Sequence, residues 1–378
     1  MSSSRRDFLR NLSIAGLTGV AVGAPREDGG APQTEIQGGS ASSLIALDQN
    51  ENPYGPSAKV METIRAASQN VNEYPRGHAG QLNDRIAKLH KVDPTQIVLG
   101  AGSTEILRVA CQAFLGKGKQ LVQPTPTYSR MESYARASGA AVISEPLKKN
   151  LEFDFDSMLA HPGSGLVYLC NPNNPTGTVN SPQRVQTFLS KLPSSYKVLV
   201  DEAYYEFCPH TASTPSFLDR PLDDRTIVTR TFSFAYGLAG LRVGYGVASP
   251  KLVEQMRPYL SENSVNSIAL RAAIAAIEDV DGLTEAVARN ANARQEFYNQ
   301  CTARSIKPLY SHANFLAFNI YNPASLIIWY FRQNNILIAP VSLSWDTYIR
   351  VSIGKSEDMK AFWRAWDRAP IDKFSIPH

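Results

Sequence analysis

From about residue 45 the chain alternates short runs rich in Val, Leu and Ile with longer stretches whose apolar positions recur at helical spacing. The apolar runs predict strands at 96–100, 120–123, 141–144, 166–170, 198–201, 226–232 and 243–247. Most are continuous rather than alternating, so both of their faces should be buried. Helix-period segments at 80–91, 103–115 and 128–138 lie between several of them. The pattern predicts an α/β fold with a mostly parallel central sheet and helices on both faces. Residues 268–305 read as helical. Short strands at 315–319, 335–338 and 348–353 and a helix at 356–367 then predict a smaller α+β domain at the C-terminus.

The first residues follow a different pattern. Arg5-Arg6 precede Phe8-Leu9, and a mildly apolar, Gly- and Ala-rich stretch runs to Ala24. This resembles a twin-arginine export signal, which carries already folded proteins across a bacterial inner membrane. It implies a periplasmic or extracytoplasmic protein. Residues 25–45 are mostly Pro, Gly, Ser and Ala, a composition that cannot bury enough surface to order itself. The expected organisation is a signal at 1–24, a flexible leader at 25–45 and an N-terminal arm at 46–76 that joins the small domain. A large domain at 77–267 and the small domain at 268–370 complete it.

Composition removes several alternatives. With 43% hydrophobic and 19% charged residues among 378, the chain has material for a core and is not largely disordered. The net charge of +4 comes from 38 basic and 34 acidic residues, too even for a nucleic-acid binder that works by bulk charge. No apolar run reaches the ~18–20 residues of a membrane-spanning helix. Cys111, Cys170, Cys208 and Cys301 form no CxxC pair, and the six histidines have no ligand spacing, so no metal site is predicted. An oxidising compartment would permit a disulfide, and the pattern leaves that open.

In sheets of this kind ligands bind beyond the carboxyl ends of the strands. Gly100-Ala101-Gly102-Ser103-Thr104 follows the first strand and opens a helix, which suits an anion at a helix N-terminus. Asn171-Pro172-Asn173-Asn174-Pro175-Thr176-Gly177, Asp201-Glu202-Ala203-Tyr204 and the segment from Thr231 to Arg242 follow later strands. Polar groups at several strand ends, with an arginine and an anion-type loop, point to one phosphorylated aromatic cofactor.

These residues resemble the fold-type I pyridoxal-phosphate (PLP) enzymes, and most of all the histidinol-phosphate aminotransferase family. The likeness runs from Leu47 to Gly354. It includes Asn50-Glu51-Asn52-Pro53-Tyr54-Gly55, Tyr74-Pro75, Pro126-Thr127-Tyr128, Ala313-Asn314-Phe315 and Arg350-Val351-Ser352 as well as the strand-end motifs. The resemblance implies that Asp201 pairs with the pyridine nitrogen and that Tyr204 and Asn174 bond the ring hydroxyl. It implies that Tyr128 stacks on the ring, and that Gly102, Ser103, Thr104, Thr231, Ser233 and Arg242 hold the phosphate. Tyr74 would reach the phosphate of a neighbouring subunit, making a homodimer. Tyr54, Arg350 and Asn314 would meet a small amino or keto acid.

Two positions depart from the family pattern. The family reads Thr-x-Ser-Lys-x-x-Gly where this chain reads Thr231-Phe232-Ser233-Phe234-Ala235-Tyr236-Gly237. Phe234 therefore stands where the Schiff-base lysine belongs. That lysine anchors the cofactor covalently and then acts as general base, and phenylalanine can do neither. Ala339 stands where histidinol-phosphate enzymes carry an arginine for the substrate phosphate. The expectation is a site that takes PLP or pyridoxamine phosphate noncovalently and transaminates poorly. The alternatives are a catalytically disabled exported PLP- or anion-binding protein, and an enzyme reusing the pocket for lysine-independent chemistry.

Overall fold

The computed structural model describes residues 44–209 and 216–369, so the signal assigned to 1–24 and most of the leader lie outside the described residues. Strand β1 (Ile45–Ala46) is followed by helices α1 (Ala58–Ala67) and α2 (His78–His90). Then come β2 (Ile97–Gly100), α3 (Ser103–Phe114), β3 (Gln120–Thr125), α4 (Arg130–Ala137), β4 (Ala141–Pro146) and α5 (Phe155–Leu159). Next are β5 (Gly165–Cys170), α6 (Pro182–Lys191), β6 (Tyr196–Asp201), β7 (Thr226–Thr231), β8 (Gly244–Ala248) and α7 (Pro250–Met256). Helices α8 (Ser267–Glu278) and α9 (Val280–Ala303) precede β9 (Phe315–Asn319) and α10 (Ala324–Gln333). The described chain ends with β10 (Ile336–Leu337), β11 (Ala339–Ser342), β12 (Trp345–Ser352) and α11 (Ser356–Arg368).

The central sheet has seven strands in the order β2-β8-β7-β6-β5-β3-β4. Only β8 runs against the rest. Each strand rises with period two, so neighbouring side chains enter opposite layers. Val167, Val198, Val200 and Val228 pack on one face with Leu82 and Ile86 of α2, Val185 and Phe188 of α6, and Leu270 of α8. Leu166, Tyr168, Leu199 and Ile227 pack on the other with α3, α4 and α7. The strands between these layers are buried on both sides, as the unbroken apolar runs predict.

A second, three-stranded antiparallel sheet has the order β11-β12-β9. Its core is aromatic: Phe297, Phe318, Phe331, Phe362, Trp363 and Trp366 pack together. Phe331 stacks on Phe362 at 4.8 Å between ring centres.

The differences from the sequence pattern have local causes. The helical stretch at 268–305 is two helices, because Asp279 leaves helical geometry and its carboxylate accepts from Gly282 N–H as the cap of α9. The strand expected at 335–338 is the two-residue β10, paired in parallel with β1, and a strand the pattern did not predict, β11, follows it and pairs with β12. The strand expected at 348–353 begins at Trp345. Helices α1, α6 and α7, for which the pattern set no boundaries, begin behind Ser57, Ser181 and Ser249, and the latter two have proline in the first turn. All four cysteines are free and buried.

Candidate active site

Asp201 is the last residue of β6 and is buried. Its Oδ2 accepts from the Tyr168 hydroxyl at 2.9 Å. Its Oδ1 accepts from the Thr229 hydroxyl at 3.1 Å and from Ala203 N–H at 3.2 Å. Burial pushes the carboxyl pKa up, and these three donors work against that rise. Oδ2 keeps a lone pair that no bond among the described residues uses.

Beside it lies a polar network. The Tyr204 hydroxyl accepts from the Asn50 amide at 2.9 Å and from the Asn174 amide at 3.2 Å. The Asn174 carbonyl accepts from Arg350 Nη1 at 2.7 Å, and the other guanidinium nitrogen reaches the Asp48 carbonyl at 2.5 Å. Arg350 Nε is buried without a partner, and so is Asn314 Oδ1. Burial pulls the Arg350 pKa down, with Tyr204 and the Asp48 charge working against that fall. A desolvated guanidinium of this kind favours an arriving carboxylate. Asn50 ties the arm to this network: its N–H donates to Ser352 Oγ at 2.8 Å, and its carbonyl accepts from Asn314 at 2.7 Å.

The anion side is built from two loops. Gly102 precedes α3 with φ +79°, and the helix opens with Ser103 and Thr104. A Cβ on Gly102 would collide with the Arg242 guanidinium, so only glycine lets that cation lie against the helix N-terminus. Arg242 itself has φ +57°, a backbone state uncommon for this residue. Its Nη1 donates to Ser233 Oγ at 3.4 Å and to the Ala239 carbonyl at 2.9 Å. Thr231 Oγ1 bonds Ser233 Oγ at 2.9 Å. A guanidinium against the positive end of a helix repels it unless an anion lies between them. This cradle fits a phosphate, and the free lone pair of Asp201 fits a protonated ring nitrogen.

Phe234 sits between these parts. Its ring stacks on Tyr204 with 4.6 Å between centres and 9° between planes. Tyr204 also meets Phe315 edge-on at 5.2 Å.

Tyr128 lies in the same region, and burial pushes its phenol pKa up, opposed by a hydrogen bond from Thr104. Tyr54 is 45% exposed, with the Arg289 guanidinium 4.3 Å from its ring centre. A cavity of about 210 Å³ opens there between Asn52, Tyr54, Ala235, Tyr236, Asp279 and Arg289. Tyr74 is 78% exposed and stands apart from this network within one chain. Sequence reasoning did not single out Asn50 as a site residue, nor Tyr168, Thr229 or Ser352. Asn50 and Ser352 stand inside quoted motifs, while Tyr168 and Thr229 carry no signal beyond lying two residues before a strand end.

The seven-stranded sheet with its helices and the small C-terminal sheet match the fold of the fold-type I PLP-dependent aminotransferases. Over residues 42–365 the chain matches the family described as aminotransferase class I and II, and it belongs to that family. It is 33% identical to the histidinol-phosphate aminotransferase of Geobacillus sp. (strain WCH70), covering 83% of this chain and 87% of that one. It is also 33% identical to the enzyme of that name from Shouchella clausii, covering 94% and 95%. The solved histidinol-phosphate aminotransferase of Sinorhizobium meliloti, in complex with pyridoxal-5'-phosphate, superposes with a TM-score of 0.82 at 27% identity, covering 88% and 92%.

Proposed function

We propose that this aminotransferase-family chain binds PLP or pyridoxamine phosphate without a covalent bond and presents it to a small amino or keto acid. The observation that carries this is the Phe234 ring stacked on Tyr204 beside an otherwise complete set of cofactor-holding side chains. When bound, the cofactor supplies an electron sink for bonds at the substrate α-carbon. Asp201 would hold the ring nitrogen, and Tyr204 with Asn174 the ring hydroxyl. Tyr128 would cover the ring face, and Ser103, Thr104, Thr231, Ser233 and Arg242 the phosphate. Arg350 would take the substrate carboxylate, with Asn314 beside it and Tyr54 over the entrance.

Proton transfer by a positioned base typically contributes about 10²–10⁴-fold, and Phe234 supplies no such group. Burial holds the phenols of Tyr128 and Tyr204 in the neutral form, which makes them poor substitutes. Ordinary transamination should therefore be slow. Ala339 is buried and lies opposite Arg350 in the β11–β12 ladder. An apolar wall there favours a substrate without a phosphate over histidinol phosphate. The exposed Tyr74 supports a homodimer in which it completes the partner's phosphate site. Arg5-Arg6 and the apolar residues after them support export in folded form, with the cofactor loaded beforehand.

The test is the absorption spectrum of the purified protein with PLP, beside Phe234→Lys. The unaltered protein should give free-aldehyde absorbance and no borohydride-fixable adduct. The variant should gain both the adduct and an amino-acid half-reaction. Rapid turnover by the unaltered protein would show that another residue is the base and sink this reading.

A further inference from the structure

Asp201 is flanked by a hydroxyl from each neighbouring strand. The β5–β6 register sets Cys170 opposite Asp201, and the β6–β7 register sets Thr229 opposite it. Tyr168, two residues before Cys170, lies on the same face by the period of two. Its long side chain reaches diagonally, and its hydroxyl arrives at Asp201 Oδ2 at 2.9 Å. Tyr168 is fully buried, and a phenol in such a place needs an acceptor. Cys170 beside it is kept neutral by burial, so Asp201 is the charged acceptor in reach.

The two oxygens of Asp201 are therefore loaded differently. Oδ1 has two donors and Oδ2 has one. A carboxylate oxygen that accepts one bond can accept another, and the second would be the ring nitrogen. A bare carboxylate buried this deeply would take a proton for itself. Each donor to it favours the ionised form and leaves the shared proton on the partner.

We infer that Tyr168 is a positioning residue: its hydroxyl keeps Asp201 ionised and so places the proton of the Asp201–ring-nitrogen pair on the nitrogen. This rests on the PLP reading given above. Tyr168 touches neither cofactor nor substrate in this role and acts only through Asp201. Without its hydroxyl, the pair should shift toward a neutral acid facing a neutral pyridine, and the electron sink would weaken.

The experiment uses PLP labelled with ¹⁵N in the ring, added to the full chain and to Tyr168→Phe at one neutral pH. The unaltered protein should bind the label and show a pyridinium resonance. The variant should also bind it, with the resonance moved toward free pyridine. Equal resonances would overturn the inference while leaving the PLP reading in place. Failure of both proteins to take up the label would overturn the PLP reading, and the inference with it. Phenylalanine removes one buried polar atom without changing the ring. Should that variant not fold, 4-aminophenylalanine at position 168 keeps the outline with a weaker donor. It should move the resonance the same way, and no movement would overturn the inference.

Discussion

At the scale of single residues, the site separates holding from reacting. Ser233 and Phe234 are neighbours, yet one bonds Arg242 on the anion side and the other stacks on Tyr204. Changing Phe234 should leave the anion cradle intact. Gly102→Ala should do the reverse. A Cβ at φ +79° is strained and meets Arg242, so stability should fall by about 1–3 kcal/mol. Displacing one charge-assisted bond to phosphate costs about 1.5–3 kcal/mol. Noncovalent PLP affinity, measured by equilibrium dialysis, should drop roughly tenfold to a hundredfold. Arg350→Gln should weaken binding of a carboxylate ligand by a similar factor of about tenfold to a hundredfold, while PLP uptake changes little. Equal loss of both ligands would place Arg350 in the cofactor site instead. The stack of Phe234 on Tyr204 carries no sequence signal of its own. Tyr168 was not legible either, since the hydrogen bond to Asp201 exists only once two strands lie in register.

At the scale of elements, the strand ends were readable and their supports were not. Runs rich in Val and Leu located β5 and β6 within two residues, and Ile227-Val228 among threonines located β7 as closely. The helical segments on either side of Asp279 were legible, but the capping of α9 by the Asp279 carboxylate was not. The support beneath the Asp201 loop is a buried ion cluster. Arg230 of β7 bonds Glu202 and Glu206 at 2.8 Å each and Ser216 Oγ at 2.8 Å. Burial works against the arginine's charge, but the two carboxylates outweigh it and push its pKa up. Breaking such a cluster by removing one partner costs about 3–5 kcal/mol, because it strands buried charge. Arg230→Met should lower the unfolding free energy in urea by about that much. A smaller loss would mean that water enters the cluster. Arg230 lies inside the stretch that predicts β7, but a strand pattern gives no sign of partners on an earlier loop.

At the scale of the whole molecule, one histidine links the core to acid stability. His90 ends α2 with its ring 2.8 Å from the Tyr245 hydroxyl. Burial, with Arg230 nearby, lowers its pKa from 6.5 to about 3. The folded state thus refuses a proton that the unfolded chain accepts below pH 6.5. That contribution is fully present above the unfolded value and fades as pH falls from 6.5 toward 3. The slope is at most about 1.4 kcal/mol per pH unit for one proton. His90→Gln should flatten the pH dependence of the melting temperature in this window, and an unchanged slope would assign it to other groups. The aromatic core of the C-terminal sheet has a consequence for such melts. All four tryptophans of the chain (Trp329, Trp345, Trp363 and Trp366) belong to α10, β12 and α11, and the seven-stranded sheet has none. Intrinsic emission excited at the indole band is therefore a private signal of the C-terminal layer. Tyrosine carries the optical record of the sheet that bears Asp201.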